Sequence, residues 1–217
     1  MSSFVLKIIA IITMFCDHIG YVIFGKISFF NYIGRIAFPI FAFQIAEGYR
    51  KTKNLKNYIF RLFVFAIISQ IPYMIFINSI IKINFKLNVF FTLLFGLLCI
   101  IVWDKCHYKI LSLLFVFFSC ILSQVLHFDY GAFGIILILT FHILYDKKIP
   151  LFIIYTLLVI AKYIISTYYY MFILFSIIPL ICIFLYNGKK GRSLKYFFYF
   201  FYPVHLLILG IINNYIK

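Results

Sequence analysis

Apolar residues gather in long runs separated by short polar breaks, and long stretches such as 4–24, 58–80 and 149–186 do not alternate apolar and polar positions with a period of two. The runs cover residues 4–24, 30–46, 58–80, 88–103, 110–126, 131–145, 149–166, 168–186 and 196–216. A helix of about 20 apolar residues crosses the roughly 30 Å hydrocarbon core of a bilayer, whereas a barrel strand would show period-two alternation. Inside lipid the backbone must satisfy its own hydrogen bonds, which helices do without a partner strand. The pattern therefore predicts an all-α, polytopic transmembrane bundle of about nine spans, with residues 1–217 forming a single integral membrane domain. The sixth run is short. The seventh and eighth are divided only by a tight break near Ser166 and Thr167, so either is expected to be tilted or re-entrant.

Composition sharpens this picture. Apolar residues make up 66% of the 217 and charged residues 12%, about half the share found in soluble domains. The net charge of +15 would fit a nucleic-acid binder, but the basic residues fall between the apolar runs, so they mark topology and no nucleic-acid partner is expected. Alternate breaks carry unequal numbers of them. One side has Arg50, Lys51, Lys53, Lys56, Lys105, Lys109, Lys147, Lys148, Lys189, Lys190, Arg192 and Lys195, and the other only Lys26, Lys82, Lys86 and Lys217. The positive-inside rule then places the N-terminus in the cytoplasm and, for nine spans, the C-terminus outside. Lys7, Asp17 and His18 interrupt the first run, and no small-residue cleavage site follows it, so the first span is expected to stay in place.

The 30 Phe and 18 Tyr, beside one Trp, read as span filling. The five cysteines are odd in number and form no CxxC pair, which argues against a disulfide framework or a zinc site. Cys106 and His107 read as part of a solvated interfacial loop. No metal is expected.

Ionisable groups at membrane depth are costly, and each is therefore a candidate for function. Lys7 and His18 are eleven residues apart, which puts them within about 20° of one another around a helix and about 16.5 Å apart along it. Asp17 points about 100° away from His18 and needs another cation. The second run supplies Arg35 and Glu47, and an antiparallel hairpin matches Asp17 with Arg35 and Lys7 with Glu47 in depth. These pairs either fix the packing of two helices or form part of a site. His18 beside them can act as acid or base.

Further on, Arg61, Ser69 and Gln70 interrupt the third run and Asn88 opens the fourth, where helix–helix hydrogen bonding accounts for most of them. Asp129 precedes Tyr130-Gly131, where it either caps the sixth helix or serves an acceptor site. His127 and His142 have no evident partner. Lys162 is expected to pair or snorkel. In the last run Pro203 kinks the helix beside Tyr202 and His205, the latter open to a site role or a packing role.

These residues together resemble the TraX family of membrane proteins. The resemblance rests on Lys7 with Asp17-His18-Ile19-Gly20, on Gly34-Arg35-Ile36-Ala37-Phe38-Pro39-Ile40-Phe41 and on Glu47-Gly48. It continues through Tyr58, Arg61-Leu62, Phe65-Ala66, Ser69-Gln70-Ile71-Pro72, Asn88-Val89, Leu93 and Gly96. It ends with Asp129-Tyr130-Gly131, Lys195-Tyr196-Phe197-Phe198-Tyr199 and Tyr202-Pro203-Val204-His205. The family's founding member is associated with N-terminal acetylation of a conjugative pilin, and its fold is similar to membrane acyltransferases. The acyltransferase-3 family carries an arginine and a histidine eleven residues apart in its first helix. Lys7 and His18 reproduce that spacing with the charge kept and the planar fork lost.

The resemblance implies acetyl transfer from acetyl-coenzyme A to an amine or hydroxyl of a membrane-proximal or exported protein, lipid or glycan, at the bacterial cytoplasmic membrane. On that implication the residues suggest His18, Asp17 and Arg35 for catalysis, and Lys7, Glu47, Arg50, Lys51 and Arg61 for the coenzyme. Asp129, Tyr202, His205, Asn88 and Gln70 are assigned to the substrate or to supporting contacts. His18 would deprotonate the acceptor or carry the acyl group, with Arg35 stabilising the oxyanion and Asp17 orienting Arg35. Two other readings remain: a proton-coupled transporter or flippase built on Asp17, His18, Arg35 and Glu47, and a non-enzymatic component of a surface assembly machine.

Overall fold

The chain folds as a succession of helices in a computed structural model that describes residues 1–83, 85–164, 169–192 and 194–216. In order they are α1 (Ser3–Phe24), α2 (Phe29–Gly34), α3 (Ala37–Lys51), α4 (Leu55–Ile68), α5 (Gln70–Ile80), α6 (Val89–Lys105), α7 (Lys109–Val125), α8 (Gly131–Ile143), α9 (Lys148–Tyr163), α10 (Tyr169–Phe184) and α11 (Lys195–Ile216). The all-helical expectation holds among the described residues, whose one β-type contact is an isolated bridge between Leu87 and Phe128. The expected break near Ser166 and Thr167 lies outside the described residues, and so does Lys217.

The count of nine spans is corrected. Among the described residues three helical stretches are long and apolar enough to cross a membrane, Ser3–Phe24, Phe29–Lys51 and Tyr196–Ile216, or four if the bent pair α4 and α5 is one span. The reason is length. At 1.5 Å per residue the 13 residues of α8 reach about 20 Å and the 17 of α7 about 25 Å, short of a 30 Å core. The third apolar run, expected as one span, breaks at Ser69. Pro72 lacks an N–H, and its ring crowds the carbonyl four residues back, at Ile68, where α4 ends.

The apolar surface marks a membrane protein. In α7 the serines face inward: Ser112, Ser119 and Ser123 are fully buried, and their hydroxyls donate to the carbonyls of Val102, Phe115 and Cys120. Ile110, Leu114, Phe117, Phe118 and Val125 of the same helix are exposed. A soluble helix would show the reverse, and this arrangement fits lipid as the surrounding solvent.

The helices cluster into two compact units. The first comprises Met1–Phe41, Ile71–Ile83 and Thr156–Lys217, and the second Ala42–Gln70 and Asn84–Tyr155. In the first, α1 packs against α2 and α11. Glycine permits the α1–α2 contact, because a Cβ on Gly34 would lie 2.3 Å from that of Asp17, and one on Gly20 would lie 2.9 Å from that of Phe30. In the second, α6 is the centre, contacting α4, α7 and α8. Gly96 of α6 lies flush against Ile138 of α8.

Candidate functional site

In the first unit the expected Asp17–Arg35 pair forms. Nη2 of Arg35 donates to both carboxylate oxygens of Asp17, at 2.8 and 2.9 Å. Asn31, which the sequence did not single out, completes the arrangement: its Nδ2 donates to the backbone carbonyl and to Oδ1 of Asp17, at 2.9 and 3.1 Å. The backbone carbonyl of Asn31 accepts from Nε of Arg35 at 3.0 Å. The Arg35 guanidinium also lies 5.5 Å from the ring centre of Phe172. Arg35 follows the last residue of α2, so the break between α2 and α3 is where the chain turns its cation back toward α1. These bonds join the two arms of the hairpin and hold residue 17 of α1 in place.

The next residue, His18, meets His205. Nδ1 of His18 is 2.8 Å from Nε2 of His205, and the rings meet edge to edge and nearly coplanar, with centres 5.0 Å apart and planes 14° from parallel. Nδ1 of His205 is 2.6 Å from the carbonyl of Phe201, one turn earlier in α11. The rings of Phe201, Phe15 and Tyr202 enclose His205, and that of Phe76 lies 4.9 Å from His18. His205 and Tyr202 are buried, while His18 is half-buried. Pro203, which supplies no N–H to the carbonyl four residues back, sits between them in α11. The two histidines are 187 residues apart, and no periodicity in the sequence links them.

Lys7 shares the α11-facing side of α1 with His18, as the eleven-residue spacing predicts. Its Nζ lies 5.7 Å from the ring centre of Phe198. Because residues 7 and 18 of α1 meet residues 198 and 205 of α11 in that order, the two helices run parallel.

The remaining candidates lie in the second unit. Glu47, expected opposite Lys7, is buried; its carboxylate pairs with Lys51 at 2.7 Å one turn on and accepts from the hydroxyl of Tyr145. The partners described for Lys7 and for Glu47 thus each lie in their own unit. Arg50 stacks over Tyr145 at 4.0 Å and pairs with Asp146 at 3.1 Å. Arg61 lies 5.8 Å from the ring centre of Tyr58, and its buried Nε has no hydrogen-bond partner.

Asn88 and Gln70 come together as a clamp. Nδ2 of Asn88 donates to the carbonyl of Ala66 and to Oε1 of Gln70, at 2.7 and 2.8 Å, and its Oδ1 caps α6 by accepting from the N–H of Phe90. Nε2 of Gln70 donates to the carbonyl of Lys86 at 2.7 Å. Of the two readings of Asp129, cap of the sixth run or acceptor site, the cap position of α8 is taken by Tyr130 without a side-chain bond, while the Asp129 carboxylate pairs with Lys86 at 2.8 Å.

His142 has a partner the sequence did not reveal. Its Nε2 lies 3.0 Å from Asp104, and the pair borders an open cavity of about 730 Å³ shared with Tyr49, Arg50, Thr52 and Trp103. Among the described residues no group of three or more His, Cys, Asp or Glu is placed to hold a metal.

Comparison with known proteins gives the chain a family and a relative. The family model described as TraX protein matches residues 2–213. A protein of Dichelobacter nodosus named "Probable fimbrial assembly protein FimC, serogroup H1" is 28% identical, over 96% of this chain and 94% of its own length. No solved structure matches the chain significantly.

Proposed function

The chain belongs to the TraX family, and from that premise we propose that it is a membrane-bound acyltransferase. It would move acetyl from acetyl-coenzyme A to an amine or hydroxyl on a membrane-proximal or exported acceptor, in the bacterial cytoplasmic membrane. The supporting observation is an imidazole pair at 2.8 Å, placed one residue after a carboxylate that two neighbours hold in position. An acyl transfer needs a base at a fixed point, and the bond from His18 to His205 supports that role for His18.

In this reaction the acceptor nitrogen or oxygen attacks the thioester carbonyl carbon while His18 takes its proton. The carbon–sulfur bond then breaks, and the proton passes to the departing thiolate. In an alternative order the acetyl group rests first on the His18 imidazole. Arg35, oriented by Asp17, is the fixed positive charge proposed for the oxyanion. Lys7 is the cation proposed for the coenzyme phosphates, eleven residues back on the same helix as His18.

A second reading draws on the relative named for fimbrial assembly. There this chain is a non-catalytic component of a surface assembly machine, and Asp17, Arg35 and the histidines serve packing alone. The two readings separate on coenzyme binding. Acetyl-coenzyme A and coenzyme A at about 100 times their dissociation constants raise stability by about 2.7 kcal/mol if they bind the folded protein. A thermal-unfolding series on the purified full chain in lipid nanodiscs checks this. No shift with either compound up to millimolar concentrations favours the assembly component.

A further inference from the structure

A backbone carbonyl has lone pairs and no proton, so the 2.6 Å contact between Nδ1 of His205 and the carbonyl of Phe201 requires the hydrogen on Nδ1. A neutral His205 then has its lone pair on Nε2. That nitrogen lies 2.8 Å from Nδ1 of His18, so the hydrogen between them belongs to His18. A neutral His18 that carries its hydrogen on Nδ1 has its lone pair on Nε2. We infer that His205 is a positioning residue that holds His18 in the Nδ1–H tautomer, making Nε2 of His18 the atom that takes up a proton. The use of that atom in acyl transfer rests on the function proposed above, whereas the tautomer follows from the geometry alone.

The arrangement works as a carboxylate–histidine pair does in other bases, with a neutral carbonyl and a second imidazole in place of the carboxylate. Proton uptake at Nε2 of His18 leaves both existing bonds intact, because His18 goes on donating through Nδ1. Proton uptake at Nε2 of His205 would set two N–H groups against each other. The pair therefore directs the proton to His18. Phe201 stacks 4.7 Å from the His205 ring, and Phe15 and Tyr202 close on it edge-on, so a ring flip that would turn a carbon toward the carbonyl is hindered. A residue present only to fill this space would need no nitrogen there.

The test is nitrogen NMR on the full chain, labelled with ¹⁵N-histidine and held in lipid nanodiscs. A His18→Asn variant assigns the His18 signals. The wild type should show the Nδ1–H pattern for His18, with a scalar coupling across the hydrogen bond to Nε2 of His205. His205→Phe should release His18 into a mixture of tautomers, whereas His205→Gln, whose amide oxygen can accept from Nδ1–H, should retain the wild-type pattern. Acetyl transfer should fall by roughly tenfold or more in His205→Phe, a part of the roughly 10²–10⁴-fold that a positioned base contributes, and recover in His205→Gln.

A wild-type His18 with its proton on Nε2 overturns the inference, even if His205→Phe fails to fold. So does an unchanged His18 pattern in a folded His205→Phe protein. If the tautomer is as inferred and no form of the protein transfers acetyl, the acyltransferase reading falls and the positioning role stands.

Discussion

In the second unit Asn88, Gln70, Lys86 and Asp129 bond to one another and to backbone carbonyls, each as a donor or acceptor whose role is set by its chemistry. In the first unit Asp17, Arg35 and Asn31 form a network of the same kind, but it ends one residue before His18, which is bonded to a second imidazole. Both networks hold helices together. Only the network of the first unit is continued by imidazoles, side chains that can accept or donate a proton, as chemistry at a membrane-embedded site requires.

The contrast can be broken at several points. The largest effect is expected at the Asp17–Arg35 pair: Arg35→Ala leaves a buried carboxylate without its cation and should cost about 3–5 kcal/mol, read as loss of folded protein or a lowered unfolding midpoint. Asp17→Asn in the same background should recover part of that loss. If Arg35→Ala is neutral, the network does not hold the hairpin. Next comes Gly34→Ala, whose added Cβ would lie 2.3 Å from that of Asp17. Forcing α2 away from α1 should cost about 1–3 kcal/mol, and it should disturb the His18 signals more than a substitution of equal cost in the second unit.

Asn88→Ala should be milder, at about 2 kcal/mol from the lost α6 cap and from the Ala66 carbonyl left without its donor. A loss of activity per folded molecule beyond that cost would bring the second unit into the site. The smallest effect is expected for Asp104→Asn. Its contact with His142 is partly exposed, and surface pairs contribute about 0–1 kcal/mol.

Most helix positions were legible in the sequence, since α6, α7, α9 and α11 begin and end within a few residues of the apolar runs. The Asp17–Arg35 pair was legible for a local reason, because a hairpin of known register matches depths across a short turn. The number of spans was not, because runs such as 88–103 and 131–145 are apolar throughout yet too short as helices, and Pro72 divides another. His18 with His205, and Asp104 with His142, join residues distant in the chain, and helical periodicity carries no information about which faces meet. Asn31 was missed because a single amide in a short apolar segment has no pattern to set it apart. Its second contact, with Ser28, belongs to the cap of α2, which only the folded turn reveals.

The most direct measurement follows labelled acetyl from acetyl-coenzyme A into envelope material, using full-length wild type and a folded His18→Asn protein in nanodiscs, with products identified by mass spectrometry. The account predicts acetylated product with the wild type and a loss of roughly a hundredfold or more with His18→Asn. Equal transfer by both proteins, or none by a wild type that unfolds cooperatively, would contradict it.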